Sequence, residues 1–219
     1  MPRALFEKTG NAVWISHLDL MRLFQRAFKR AGLSLTHTQG FNPRPSVSIA
    51  LPMSVGVESC CELLDFDLEG EKVSNGEILR RLNENLTGGV KILDVYDSGG
   101  KIKNLLYLDC VLSLEYDASI PEAGIDRLKA FFAREEVIVE KRTKNGPKPE
   151  NIIPMIRKLE ITAVDEHVVQ IQARVCCQNP SLNPMQLAAA IELYLPELKA
   201  DFVTCRRLEI YDAGEAVFR

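Results

Sequence analysis

The sequence predicts an α+β protein made of tandem ferredoxin-like (β-α-β-β-α-β) units, antiparallel sheets with helices on one face. Three observations carry that prediction. Runs with a two-residue apolar period alternate with runs whose apolar residues recur at helical spacing. The order strand, helix, strand, strand, helix, strand occurs before Asp97 and again after Lys101, allowing for one inserted hairpin. Between the two halves, Asp97-Ser98-Gly99-Gly100 reads as a linker. The expected domains are therefore 1–97 and 101–219, the second carrying an inserted basic hairpin at 137–156.

In the first half, Ala4–Lys8 is a short strand followed by a Gly10-Asn11 turn. Ser16 caps a helix, with Asp19 three residues on as its reciprocal partner. Leu20, Phe24, Ala27, Phe28 and Ala31 form its apolar face, and Gly32 ends it. Ser46–Leu51 and Glu62–Leu68 read as strands. The second alternates apolar and acidic residues, so its carboxylates, on to Glu71, are expected to face solvent. Ser74–Leu86 is a helix with Ile78, Leu79, Leu82 and Leu86 inward, and Val90–Tyr96 is a strand.

In the second half, Leu105–Tyr116 is a strand, and Ile125, Leu128, Phe131 and Phe132 mark a helix beginning near Pro121. Val137–Arg142 enters a Gly/Pro/Lys turn over Lys144–Pro149, and Ile152–Ile156 leads out of it. Leu159–Val164 and Val168–Val175 form a hairpin around Asp165-Glu166-His167. Asn183-Pro184 opens a helix with Leu187, Ala190, Ile191 and Tyr194 inward, and Phe202–Tyr211 is the last strand.

No apolar run reaches the ~18 residues of a membrane helix, and MPRALFEKTG has no signal-peptide h-region. The six cysteines form no C-x-x-C pair and lie mostly in apolar runs. They read as buried thiols in a reducing, cytoplasmic protein rather than as disulfides or metal ligands. The net charge of −3 conceals an asymmetry. Residues 1–50 hold seven Lys/Arg against two Asp/Glu, residues 51–100 four against ten, and residues 141–158 six against one. Two basic segments on a nearly neutral chain point to an oriented surface for an anionic partner.

The residues of chemical interest concentrate in Trp14–Gly56. His17 stands at the first position of the capped helix, where an imidazole suits acid–base work, a phosphate contact, metal ligation or a packing role. Arg22, Arg26 and Arg30 make a basic stripe. The loop LTHTQGFNPRP gathers His37, Gln39, Asn42 and Arg44 around Gly40 and two prolines, a stiff polar loop suited to ligand binding. In the second half, Lys141, Arg142, Lys144 and Lys148 flank a turn that suits a nucleic-acid backbone. Phe41 and Tyr107 are candidates to stack on bases, against the commoner role of a single aromatic in a core. There is no G-x-S-x-G, H-E-x-x-H, Walker or dinucleotide motif, so Ser16, His17, Asp19 and the loop read as a binding site for an anion, with His17 the one catalytic candidate.

These motifs resemble a known family. Phe6, Lys8 and Gly10, then ISHLDLMR over 15–22 and QRA over 25–27, then QGFNPRP over 39–45, Leu51-Pro52, Val55-Gly56, Glu58-Ser59 and Glu62 are similar to the radical-SAM-linked protein family of unknown function. KRTKNG over 141–146 extends the likeness. Where the family pattern admits Tyr-Ser before Gln39, this chain has His37-Thr38. Members are encoded beside, or fused to, a B12-binding-type radical SAM protein. The resemblance implies a radical SAM partner that carries the 4Fe-4S cluster and SAM, since this chain lacks C-x(3)-C-x-x-C and is expected to bind no cofactor itself. Taken with the basic stripe Arg22/Arg26/Arg30, the Arg44 loop and the Lys141–Lys148 turn as phosphate contacts, that partner leads to the expectation of a non-catalytic RNA-binding or substrate-presenting role in RNA modification, against the alternatives of a metal-independent RNA endonuclease using His17 and a protein–protein adaptor.

Overall fold

The computed structural model describes residues 2–70, 72–97, 99–121, 123–143 and 146–219, without the side chains of 142 and 143. Lys144, one of the expected phosphate contacts, and Glu71 lie outside the described residues. The chain is a mixed α+β protein with antiparallel strands and four α-helices among the described residues. It divides into two compact units, Met1–Ile102 with Arg219, and Lys103–Phe218.

The first unit runs β1 (Pro2–Lys8), α1 (His17–Arg30), β2 (Val47–Ile49), β3 (Val57–Phe66), α2 (Asn75–Asn83) and β4 (Val90–Asp97). Its sheet has the order β4-β1-β3-β2, with every neighbouring pair antiparallel. Ser16 caps α1 by accepting the Asp19 N–H at 3.2 Å, and Ser74 caps α2 by accepting that of Glu77 at 3.3 Å. At the other end of α1, Gly32 takes φ +67, and the Gly32 and Leu33 amides return to the carbonyls of Lys29 and Phe28. The core lies between the sheet and the two helices. Phe6 meets Phe24 edge-on and Phe28 meets Phe66, each pair at 4.9 Å, over Leu64, Ile78, Leu82 and Ile92.

The expectation that the acidic run faces water holds at Asp67 and Glu69, which are exposed, and fails at Glu62 and Asp65. Glu62 is 2% exposed, and Asp65 forms a bidentate pair with Arg3 at 2.6 and 3.0 Å. Asp65 lies between Arg3 of β1 and Ser48 of β2, and Glu62 opposite Phe6 of β1, so both carboxylates are drawn into the protein and need partners. Arg3 is itself only 1% exposed.

The second unit runs β5 (Leu105–Glu115), α3 (Gly124–Phe132), β6 (Ile138–Thr143), β7 (Gly146–Asn151), β8 (Ile156–Ala163), β9 (Val168–Cys176), α4 (Met185–Tyr194) and β10 (Phe202–Asp212). Its main sheet has the order β10-β5-β9-β8. Cross-strand pairs Leu108–Val175, Leu112–Ile171 and Leu114–Val169 fill the buried face. Asp109–Arg174, Val111–Gln172 and Ser113–Gln170 alternate with them on the other. The stretch read as a turn over Lys144–Pro149 contains β7, which pairs with β6. Pro147 and Pro149 are tolerated because β7 has a ladder on one side only in this two-stranded sheet. Tyr194, expected inward, is 40% exposed, and its hydroxyl donates to the Ile138 carbonyl of β6 at 3.0 Å.

Candidate functional site

Much of the Phe6–Glu58 motif builds the entry to α1. Phe6 is core, and the buried Lys8 reaches across to donate to the Ile15 carbonyl at 3.1 Å, just before the helix. Gly10, at φ +54, gives its amide to Glu58. Gly56, at φ +82, gives its amide to the Val13 carbonyl, and Trp14 lies over the same residue. These residues hold Ser16 and His17 where the helix starts.

The start of α1 already carries its own anion. The Ser16 hydroxyl donates to the Asp19 carboxylate at 2.8 Å, and Arg22 donates to the same carboxylate at 2.9 Å. These two bonds, the Ser16 one first, hold the Asp19 carboxyl below its usual range. A negative side chain at a helix N-terminus satisfies the dipole that a phosphate would otherwise seek. His17 is half-buried, and its Nδ1 is buried with no hydrogen-bond partner among the described residues. The basic stripe is partly committed as well: Arg22 to Asp19, and Arg30 to the Asn85 carbonyl after α2. Arg26 is exposed on the same helix.

The loop after α1 is a finger. Thr36 and Ser46 close its base, the Ser46 amide donating to the Thr36 carbonyl at 2.7 Å, while Thr36 is tied to Asp67 through its amide and hydroxyl. His37 and Pro45 pair as an isolated antiparallel bridge. Above them the Thr38 amide donates to the Arg44 carbonyl at 2.8 Å, and the Arg44 amide to the Thr38 hydroxyl at 3.0 Å. The tip is Gln39–Pro43, where Gly40 takes φ +136. Gln39, Asn42 and Arg44 are exposed, and no side-chain partner holds them among the described residues. Phe41 is 112% exposed, beyond the value of an extended chain.

A groove of about 440 Å³ opens at the foot of the finger. Phe28, Leu33, Leu35 and Pro45 form its floor, and Gln25, Lys29, Ser34, His37 and Glu69 its rim. Gln25 is eight residues past His17, about 12 Å along the helix. The structure therefore separates the residues grouped by sequence: Ser16, His17, Asp19 and Arg22 stand at the start of α1, whereas His37, Gln39, Asn42 and Arg44 belong to the finger beyond its end. Ser34 and Glu69 carry no sequence signal, because only the fold brings them to His37.

In the second unit Lys148 is exposed, but Lys141 is spent internally. It donates to the Ser181 carbonyl at 2.7 Å and pairs with Glu150 at 2.9 Å. Arg142 has described backbone only. Arg157 lies 5.4 Å from the Tyr107 ring. On the polar sheet face, Arg174 forks onto Asp109 at 2.7 and 2.8 Å, reaches Glu215 at 2.6 Å and lies 3.8 Å over Tyr211. Lys158 also binds Glu215 at 2.9 Å, the main reason the Glu215 carboxyl sits low. This network, which sequence reading missed, is saturated by its own members.

Among the described residues no group of three His, Cys, Asp or Glu side chains is placed to hold a metal ion. The described cysteines form no disulfide, and Cys61, Cys110 and Cys205 are buried. No described helix is long and apolar enough to cross a membrane.

No curated protein sequence matches the chain. Its fold is similar to that of a chain in a Cbf5-Nop10-Gar1 complex, at 9% identity and a TM-score of 0.52, over 95% of this chain and 48% of that one. A chain of the archaeal box H/ACA sRNP Nop10-Cbf5 complex is similar at 10% identity and a TM-score of 0.46, over 94% of this chain and 46% of the other. The chain thus spans about half the length of the structural relatives it matches. In sequence, residues 2–184 match the family described as "Uncharacterized protein conserved in bacteria (DUF2344)", and the chain belongs to that family.

Proposed function

We propose that the protein is a non-catalytic RNA-binding or substrate-presenting accessory protein for a radical SAM enzyme, acting in RNA modification in the cytoplasm. The observation that carries this reading is the finger, with an aromatic ring fully in solvent at its tip and Gln39, Asn42 and Arg44 uncommitted beside it. Leaving a phenyl ring in water forgoes about 1.5–3 kcal/mol of burial, a cost that a binding partner recovers. A π-face beside a guanidinium and two amides suits an unpaired base and its phosphate. Arg26 and Lys29 add exposed cations for the backbone in the first unit, and Lys148 is a separate exposed cation in the second.

Each unit is read as ferredoxin-like, which the all-antiparallel orders β4-β1-β3-β2 and β10-β5-β9-β8 support. The division into 1–97 and 101–219, with the hairpin inserted in the second, follows from that reading. The radical SAM partner rests on the ISHLDLMR and QGFNPRP motifs, and the cluster and SAM are assigned to that partner. Binding of unstructured RNA across a salt titration tests the RNA role. The reading requires affinity that falls steeply with salt, and an absence of binding at low salt refutes it. Co-purification with the proposed radical SAM partner tests the partnership independently.

A further inference from the structure

We propose that the groove at the foot of the finger receives one unpaired nucleobase; the proposal rests on the RNA reading above. Its size falls in the range of small-ligand sites. The floor is apolar and closed, with Phe28 at 0%, Leu33 at 3% and Leu35 at 8% exposure. His37 on the rim and Pro45 on the floor are tied by the bridge between them and by the Ser46–Thr36 and Thr36–Asp67 bonds below. The site is thus formed before any ligand arrives.

The rim identifies the ligand. The side chains of Gln25, Lys29, Ser34, His37 and Glu69 make no hydrogen bond or ion pair among the described residues, unlike the neighbouring Arg22 and Arg30. Lys29 and Glu69 line one groove, yet the groove holds them apart rather than in an ion pair. An aliphatic ligand would strip water from five polar side chains and return nothing. A flat heteroaromatic ring lies on the apolar floor and offers donors and acceptors around its edge. Glu69 accepts from an exocyclic amino group, Gln25 both gives and accepts, and Lys29 meets the attached phosphate.

Fluorescence anisotropy with ten-nucleotide homopolymers of A, C, G and U at low salt tests this. Wild type is expected to prefer one base by about tenfold or more. The Gln25→Ala/Glu69→Ala double variant is expected to bind all four within about twofold of one another, with the salt slope unchanged. Ser34→Trp, which fills the groove from its rim, is expected to do the same. Both variants alter exposed or half-exposed side chains, and a thermal melt of each, expected to match wild type, checks that it folds. Equal wild-type binding of all four RNAs overturns the groove while leaving RNA binding intact. So does a preference that survives both variants. No binding of any RNA at low salt overturns the RNA reading and, with it, the groove.

Discussion

Removing the Asp65 carboxylate takes the paired charge from a buried cation. Arg3 gives its Nε to Asp65 Oδ1 at 2.6 Å and one Nη2 hydrogen to Oδ2 at 3.0 Å, while Nη2 also reaches the Gly100 carbonyl at 3.1 Å. The guanidinium side chain is 1% exposed and the carboxylate 17%. Asp65→Ala deletes two charge-assisted bonds, each contributing about 1.5–3 kcal/mol, to a guanidinium that is almost wholly buried. The Gly100 carbonyl remains, so the expected loss is about 3–5 kcal/mol, the range for breaking one side of a buried pair. For a chain of this length each kcal/mol lowers Tm by roughly 2–4 °C, which gives a fall of about 6–20 °C. Urea denaturation followed by far-UV circular dichroism reads the free energy directly. A double-mutant cycle with Arg3→Met reports the coupling, expected to be at least about 2 kcal/mol. A loss below about 1 kcal/mol for Asp65→Ala, the behaviour of a solvent-facing carboxylate, refutes the assignment.

Other consequences are as specific. Gly89→Ala places a Cβ 2.4 Å from the Thr9 carbonyl oxygen at φ +84, so a loss of about 3 kcal/mol or more is expected in the same denaturation assay. Gly40→Ala, at φ +136 with nothing within 4 Å, meets only backbone strain of about 1–3 kcal/mol, and equal effects of the two contradict the packing at Gly89. Glu77 is held down to about 2 from 4.5 by hydrogen bonds from Arg80 and Arg81. A carboxyl with a depressed folded pKa stabilises above its unfolded value and stops doing so as pH falls through the folded one. Its contribution to α2 therefore persists at pH 5 and disappears between about 4.5 and about 2. A carbon-13 NMR titration of the Glu77 carboxyl with a midpoint near 4.5 contradicts it.

Local signals were the legible ones. Ser16, Ser74 and Gly32 mark helix ends through bonds to residues within a few positions, so their chemistry is written along the chain. Alternation in β3 showed two faces but could not say that both are covered, because strand order is set by distant segments; Glu62 and Asp65 were misread for that reason. β7 was hidden by its prolines, which an edge position excuses. The finger's residues were visible as a Gly/Pro-rich polar run, but the exposure of Phe41 was not, since a lone aromatic fits a core equally well. The groove was invisible because Gln25, His37 and Glu69 meet only in three dimensions.

Phe41→Ala tests the central claim most directly, measured by filter binding of an unstructured RNA over a range of salt concentrations. Stacking on one base contributes about 1–3 kcal/mol, so the account predicts affinity roughly 5- to 150-fold weaker at every salt concentration, with the salt slope unchanged because no cation is lost. Wild-type protein that does not bind RNA at low salt, or Phe41→Ala protein that binds as tightly as wild type, contradicts it.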